Sequence, residues 1–452
     1  MKEIVKIANG QGFWGDSIDA PVNLIKYGKI DYLTLDYLAE VTISIMQKQK
    51  LKNPLFGYAK DFVDLIVNNQ DDIRKNNIKI ITNAGGVNPV ECAKAIKLKL
   101  KNKSDFKIGV VKGDDIYNNI DGLINSGQSF RNLETGEDIS LIRNKITSAN
   151  VYIDSYCIKD ALDKGADIVL AGRVSDPGLT LGPLLYEFDW KNNDFNKLAS
   201  GTLAGHIIEC GAQCTGGNYS KWYDIENLSN IGYPIVEVYP DGNFNVTKPK
   251  GTDGIINKLS ISEQVLYEMG DPKNYISPDV CVDFTSFNLI DNNDNTVSIK
   301  NVKGFKATDT YKVSISYFSG YKSSGQLTIS GPHAYKKAKY VSKIFWDRLK
   351  LAGYDYNNKN TEFLGFDSCH KKMNHKYSGS NEIVLRLSVK DNDKQKVERF
   401  GKEISPLITT GPPGITGFAG GRPKAQEVIS FWPSLIDKKI VNITVEILWK
   451  LN

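Results

Sequence analysis

The first half of the chain alternates short apolar runs with longer amphipathic stretches, and this alternation narrows the fold more than any other feature. Ile4–Ala8, Ile30–Leu35, Ile78–Asn83, Lys107–Val111, Val151–Ser155 and Asp167–Ala171 are rich in Ile and Val. Such runs suit strands buried on both faces of a parallel sheet. Between them, Leu38–Lys48, Ala59–Asn76 and Pro89–Leu100 carry helical periodicity. The expectation is an α/β fold with a mostly parallel, doubly wound sheet, a Rossmann-like domain over residues 1–245.

Beyond residue 240 the texture changes. Asp241-Gly242-Asn243 has the chemistry of a hairpin turn, and Lys250-Gly251-Thr252-Asp253-Gly254 is a glycine-bracketed loop. Period-two strands follow at Lys312–Phe318, Gln326–Ser330, Glu382–Val389 and Val441–Leu448, with helices at Ala334–Leu351 and Lys394–Ile404. Residues 246–452 are therefore expected to form a second, α+β domain. A single core stops growing at about 250–300 residues, and 452 residues call for two.

Composition excludes several function classes. Hydrophobic residues make up 41% and charged residues 24%, a globular balance. A net charge of +5 over this length does not point to nucleic acid or an anionic membrane. No apolar stretch reaches the roughly 18 residues of a membrane span, and the N-terminus lacks the apolar segment of a signal peptide. The cysteines at 92, 157, 210, 214, 281 and 369 form no C-x-x-C pair, and the four histidines complete no zinc pattern. Reduced thiols in the cytoplasm are expected. No motif argues firmly for a metal or for NAD.

The candidate chemistry sits where predicted strands end, the usual ligand position in open α/β sheets. After the first strand, Asn9-Gly10-Gln11-Gly12-Phe13-Trp14-Gly15-Asp16 spells G-x-G-x-x-G. Gly10, Gly12, Gly15 and Asp16 are candidates for a dinucleotide, for another anionic ligand or for a tight structural turn. After the second, Asp36 is either a helix cap or a site carboxylate, and Glu40 follows one helical turn on. Two such carboxylates can split their pKa values and act as acid and base. The third strand delivers Asn83, Gly85, Gly86 and Asn88, an amide-rich turn before Pro89. The last delivers Arg173, a fork for a carboxylate or a structural ion pair, followed by Asp176.

The richest cluster is Gly205–Asn218. A short helix ending at Gly216-Gly217 would place His206, Glu209, Cys210 and Gln213 on one face. Cys210 with His206 makes a nucleophile and base; His206 with Glu209 makes an acid–base pair, with Gln213 as polarising donor. The last glycine cluster, Thr409–Lys424, with Arg422 and Lys424, is either an anion cradle or an ordered subunit contact.

Taken in order, Gly12–Asp16, Asp31–Glu40, Thr82–Pro89, Ala171–Gly182, Gly205–Gly217, Gly232-Tyr233-Pro234, Gly251-Thr252, Gly270–Phe284, Gly411–Gly417 and Gly421–Lys424 resemble the large N-terminal domain of the acyclic terpene utilisation family, AtuA. The chain departs from that pattern at Asp253 and Cys214. The resemblance implies catabolism of small carboxylic acids as CoA thioesters. Many relatives carry a ferredoxin-like segment after this domain, which implies a separate small partner chain here, or its loss. With the acid–base residues above, the expected function is an enzyme of lyase or hydratase type acting on a small acid or acyl-CoA, working as an oligomer. The alternatives are a nucleotide-dependent oxidoreductase and a non-catalytic scaffold subunit.

Overall fold

The computed structural model describes residues 2–100, 105–366, 368–369, 380–417 and 420–448. Two compact units emerge: Met1–Ser316 with Phe431–Asn452, and Tyr317–Ser430. The boundary expected near residue 245 does not coincide with this division, because strands on both sides of it share one sheet.

The strands of the first unit begin with β1 (Val5–Asn9), β2 (Tyr32–Leu35), β3 (Lys79–Thr82), β4 (Ile108–Lys112), β5 (Ile146–Val151), β6 (Ile168–Leu170), β7 (Ile235–Val238) and β8 (Phe244–Thr247). They continue with β9 (Tyr275–Ile276), β10 (Cys281–Asp283), β11 (Asn288–Asp291), β12 (Val297–Lys300) and β13 (Lys303–Phe305). Its helices are α1 (Asp19–Tyr27), α2 (Glu40–Lys52), α3 (Lys60–Lys75), α4 (Pro89–Leu100), α5 (Ile120–Asn125), α6 (Tyr156–Asp163), α7 (Gly178–Phe188), α8 (Phe195–Ile208) and α9 (Lys258–Leu266).

The main sheet runs β11-β12-β8-β7-β1-β2-β3-β6-β4 and ends on β19 (Thr444–Leu448). β1, β2, β3, β6 and β4 pair in parallel. Every other pairing in this sheet is antiparallel. The sheet is thus mixed, and the expectation of a mostly parallel, doubly wound sheet is corrected. Part of the reason is local: β7–β8 and β11–β12 are joined by short turns, as at Tyr239–Asn243, where Gly242 takes φ +91°; β7, β12 and β19 meet β1, β8 and β4 antiparallel from distant parts of the chain. A tight turn joins only antiparallel neighbours; a parallel pair needs a crossover.

Two further expectations shift. Val151–Ser155 is not a strand of this sheet; the strand is β5, which pairs with β14 (Thr310–Ser330). The run Val441–Leu448 does form a strand, but it pairs with β4, Thr444 opposite Lys112 and Leu448 opposite Ile108. Buried Leu33, Leu35, Ile80 and Ile168 knit the parallel centre to α1, α3 and α4. Helices α7 and α8 are buried on nearly all sides, which fits their apolar composition.

In the second unit, β14 pairs antiparallel with β16 (Glu382–Asp391), and β15 (Asn358–Leu364) pairs with the other edge of β16; β17 (Ile415–Thr416) and β18 (Gln426–Asp437) also pair with β14. The predicted strands Lys312–Phe318 and Gln326–Ser330 are both parts of the single strand β14. Helices α10 (Ala334–Leu351) and α11 (Lys394–Ile404) match their predicted limits and cover this sheet. Phe345 and Phe400 are fully buried and meet edge to face, 5.2 Å between ring centres. Phe400→Ala should therefore cost about 3–5 kcal/mol, read as a lowered denaturation midpoint in urea; an unchanged midpoint would show that this packing contributes nothing.

Candidate active site

Polar side chains gather at the carboxyl ends of the parallel strands. Asn9 ends β1, Asp36 follows β2, Asn83 follows β3, Asp114 follows β4 and Arg173 follows β6. The apolar strand interiors leave this edge as the place where polar groups can collect, and all five side chains are buried.

Arg173 is the hub. It is only 2% exposed. Its Nη1 donates to the Leu38 carbonyl and its Nη2 to Asp176 Oδ1. Its guanidinium lies 4.1 Å from the centre of the Tyr152 ring, a cation–π contact. Its backbone N–H donates to Asp114 Oδ2 at 2.7 Å. The fork expected to hold a substrate carboxylate is thus engaged by the protein itself, and Nε alone of its side-chain nitrogens meets no partner.

Asp36 accepts from Leu38 N at 3.0 Å and from Asn83 Nδ2 at 2.6 Å. Asn83 Oδ1 in turn accepts from Tyr37 N at 2.7 Å. Helix α2 begins only at Glu40, after Ala39, so Asp36 is not its cap and does not share a helix face with Glu40. Burial, reinforced by the charge of Asp176, pushes the Asp36 carboxyl well above the usual range, against the pull of Arg173. Glu40 moves the other way. Burial opposes its ionisation, but a 2.6 Å bond from the Tyr152 hydroxyl and the nearby Arg173 and Lys312 bring it below its ordinary value.

The glycine loops are closed on themselves. Gly10 N donates to Thr34 O, and Gly12 N donates to Asp16 Oδ2 at 3.0 Å. Asp16 also accepts from the Tyr233 hydroxyl at 2.6 Å. A Cβ on Gly12 would come within 2.8 Å of the Cys210 backbone, so glycine here permits close approach of two loops. Gly15 takes φ +105°, a turn requirement. In the third loop, Gly86 N and Asn88 N donate to Asn83 O and Gly85 O, and Asn88 Nδ2 holds the carbonyls of Pro54 and Phe56. These amides are occupied within the chain and form no open anion cradle.

Asn9 links this edge to the second cluster, donating to the carbonyls of Ile208 and Glu209 at 2.8 and 2.7 Å. The expected helix through Gly216-Gly217 ends instead at Ile208, and Gly211 leaves it with φ +59°. His206 and Glu209 still meet, Nδ1 to Oε1 at 3.3 Å, as helical spacing predicts. Gln213 lies beyond the helix in a 3-10 turn and is not on that face. His206 is 1% exposed, packed against Tyr275 and Phe284, with Nε2 3.2 Å from the Val265 carbonyl. His206 Nδ1 makes no aligned hydrogen bond to Oε1, and Glu209 Oε2 meets no partner either. Burial pushes Glu209 up to about 7, with His206 pulling against it. Burial would lower His206, but Glu209 outweighs it and the imidazole is raised. Burial and the adjacent Glu209 push the Cys210 thiol up, away from the thiolate a nucleophile needs.

Arg422 is exposed in the second unit, and Phe418 and Ala419 of its glycine cluster lie outside the described residues. Two hollows of about 670 and 620 Å³ share Tyr27 and the Pro249–Thr252 loop; Tyr233 lines the smaller, and neither is lined by Arg173, Asp36, His206, Glu209 or Cys210. Among the described residues no group of three or more His, Cys, Asp or Glu side chains is placed to hold a metal ion. Asp114, Asn150 and Tyr152 were not singled out from sequence, although Gly113-Asp114-Asp115 at the end of a predicted strand was a readable signal.

Asp114 offers a test by pH. Burial raises its carboxyl from 3.8 to about 6. Between those values the folded chain binds the proton more tightly than the unfolded one, so stability falls as pH rises through the window and levels above it. Asp114→Asn should flatten the slope by up to one proton, about 1.4 kcal/mol per pH unit, in urea denaturation from pH 4 to 7. An unaltered slope would mean that Asp114 is ionised in the folded chain.

Among the described residues no helix is long and apolar enough to cross a membrane. No curated protein matches the chain, and no solved structure does. One family matches, described as acyclic terpene utilisation family protein AtuA, over residues 5–447. With nearly the whole length covered, the chain belongs to the acyclic terpene utilisation family, AtuA.

Proposed function

We propose that the protein is an enzyme of lyase or hydratase type acting on a small hydroxy or unsaturated acid, free or as its CoA thioester. One observation carries this reading. His206 and Glu209 are a buried acid–base pair, both raised from their ordinary values and Glu209 to about 7, whose Nδ1 and Oε2 are not consumed by the protein. A general acid and base work best when their pKa values lie near the working pH.

The step assigned to the pair is elimination of water. Glu209 carboxylate takes the proton from the carbon beside the carbonyl, and those electrons form the C=C bond. The hydroxyl on the next carbon leaves with its C–O electrons, takes a proton from the His206 imidazolium and departs as water. Glu209 then returns its proton to His206 across their 3.3 Å contact. Run backwards, the step is hydration. In this reading Arg173 is a positioning residue. It holds the Leu38 carbonyl and Asp176, and Asp176 adds negative charge near Glu209.

The test begins with a thermal-shift screen of hydroxy and unsaturated acids and their CoA esters, since a ligand of the native state raises apparent stability. With a turned-over substrate in hand, His206→Gln should lower kcat by about 10²–10⁴-fold with KM little changed. The wild-type kcat should show a limb near pH 7, following the Glu209 value. Cys210→Ser should keep turnover. Full activity in His206→Gln would remove the pair from the chemistry, and loss confined to Cys210→Ser would favour a thiol nucleophile.

A further inference from the structure

The glycine-bracketed loop Lys250–Gly254 takes no part in the site described above, yet it is firmly held. Lys248, 9% exposed, donates from Nζ to the Thr252 carbonyl at 2.5 Å and to its hydroxyl at 3.2 Å. Asn230 Nδ2 holds the Gly251 carbonyl at 3.0 Å and Asp253 Oδ2 at 3.1 Å. With Tyr27 at the end of α1, this loop forms the shared wall of the two hollows of about 670 and 620 Å³. Hollows of this size suit a small molecule. The charges on the larger one decide which kind. Lys6, Lys29, Lys248 and Lys250 line it, against Glu237 and Asp294. Lys6 is paired with Glu237 at 2.6 Å. Lys248 is spent on the loop and lies in the field of Asp294. Lys29 and Lys250 are exposed, and among the described residues neither meets an acceptor. Two cations are thus left without an answer in one hollow. The smaller hollow has a different character. Lys250 is the one cation of its lining, and the side chains of Asp19, Ser17 and Asn23 line it unengaged.

We infer that the adjoining hollows bind a phosphate monoester of a hydroxylated molecule, a sugar phosphate or a nucleotide. The phosphate carries about two negative charges at neutral pH, and it meets Lys29 and Lys250 in the larger hollow. The hydroxylated body runs past Tyr27 into the smaller one. There the Asp19 carboxylate accepts from its hydroxyls, and Ser17 and Asn23 supply further partners. Asp19 also sets the direction of binding, because it repels an anion at its own end. Tyr27 is 70% exposed and offers a flat face to a nucleobase. The held loop fixes Lys250 before the ligand arrives, which lowers the cost of binding. The inference concerns binding alone and stands apart from the proton-transfer reading.

The test is isothermal titration calorimetry of the full chain at low salt with ribose 5-phosphate, compared with ribose, inorganic phosphate and AMP. Ribose 5-phosphate should bind, and ribose and inorganic phosphate should each bind at least about tenfold more weakly. Added NaCl should weaken it, because exposed charges are screened. AMP binding tighter than ribose 5-phosphate assigns the site to a nucleotide; AMP binding no tighter assigns it to a sugar phosphate. Lys29→Asn, which suits the φ of +51° there, and Lys250→Gln should each weaken ribose 5-phosphate at least about tenfold with Tm unchanged. Asp19→Asn should weaken ribose 5-phosphate and leave inorganic phosphate no weaker. Lys26→Gln removes a charge from α1 outside both hollows and should bind like the wild type. His206→Gln should too, which separates this inference from the fate of the catalytic proposal. Absence of binding by both ribose 5-phosphate and AMP would overturn it. So would affinity unchanged in both the Lys29 and Lys250 variants, an equal loss in Lys26→Gln, or ribose binding as tightly as its phosphate.

Discussion

A guanidinium cannot lose its proton in a protein, so burying one obliges the chain to surround it with acceptors. Arg173 makes that demand at the carboxyl edge of the main sheet. The Leu38 carbonyl comes from the segment after β2, Asp176 from the turn before α7, the Tyr152 ring from the residue after β5, and Asp114 from the end of β4. Three of these groups meet its side chain, and the fourth, Asp114, holds its backbone N–H. Breaking a buried ion pair from one side typically costs about 3–5 kcal/mol, so the geometry around Asp36, Glu40 and Asp176 depends on this residue. Lysine, a single point charge, cannot reproduce two divergent bonds and a stacked plane.

The polar groups near this edge divide by whether the protein has used them. The glycine loops bind their own amides; Asp16, Asn83 and Asn88 staple turns; Asn9 joins β1 to the end of α8. These contacts build a rigid floor. Among the described residues, unsatisfied side-chain atoms remain at this edge, at Arg173 Nε, Ser175 Oγ and Asn150 Oδ1, and beside it, at His206 Nδ1 and Glu209 Oε2. Because unpaired buried polar atoms are costly, those of the adjoining His206 and Glu209 carry more functional meaning than the glycine motif does. The same burial raises Asp36, Asp114 and Glu209 together, which lets several carboxyl groups sit near one another without full mutual repulsion.

Parts of this arrangement were readable in the residues. Local periodicity located β1, β2, β3, β4 and β6, and placed α4, α10 and α11 at their true limits. Helical spacing paired His206 with Glu209. The same spacing extended the helix too far, because a glycine at position 211 reads alike whether it continues a helix or leaves it at positive φ. Asp114 went unnoticed because one aspartate after a strand resembles any other until Arg173 N–H is seen on it.

The sequence by itself determined the elements, the polar ends of the strands and the family, because these depend on neighbours a few residues apart and on motifs in fixed order. Only the tertiary structure decided which strands pair, that Val441–Leu448 closes the main sheet against β4, and that the Arg173 fork turns inward rather than toward a ligand. Pairing and burial are properties of residues distant in the chain. An alternating apolar pattern says that a strand needs a partner, and a charge says that it needs an answer; which partner and which answer follow from packing.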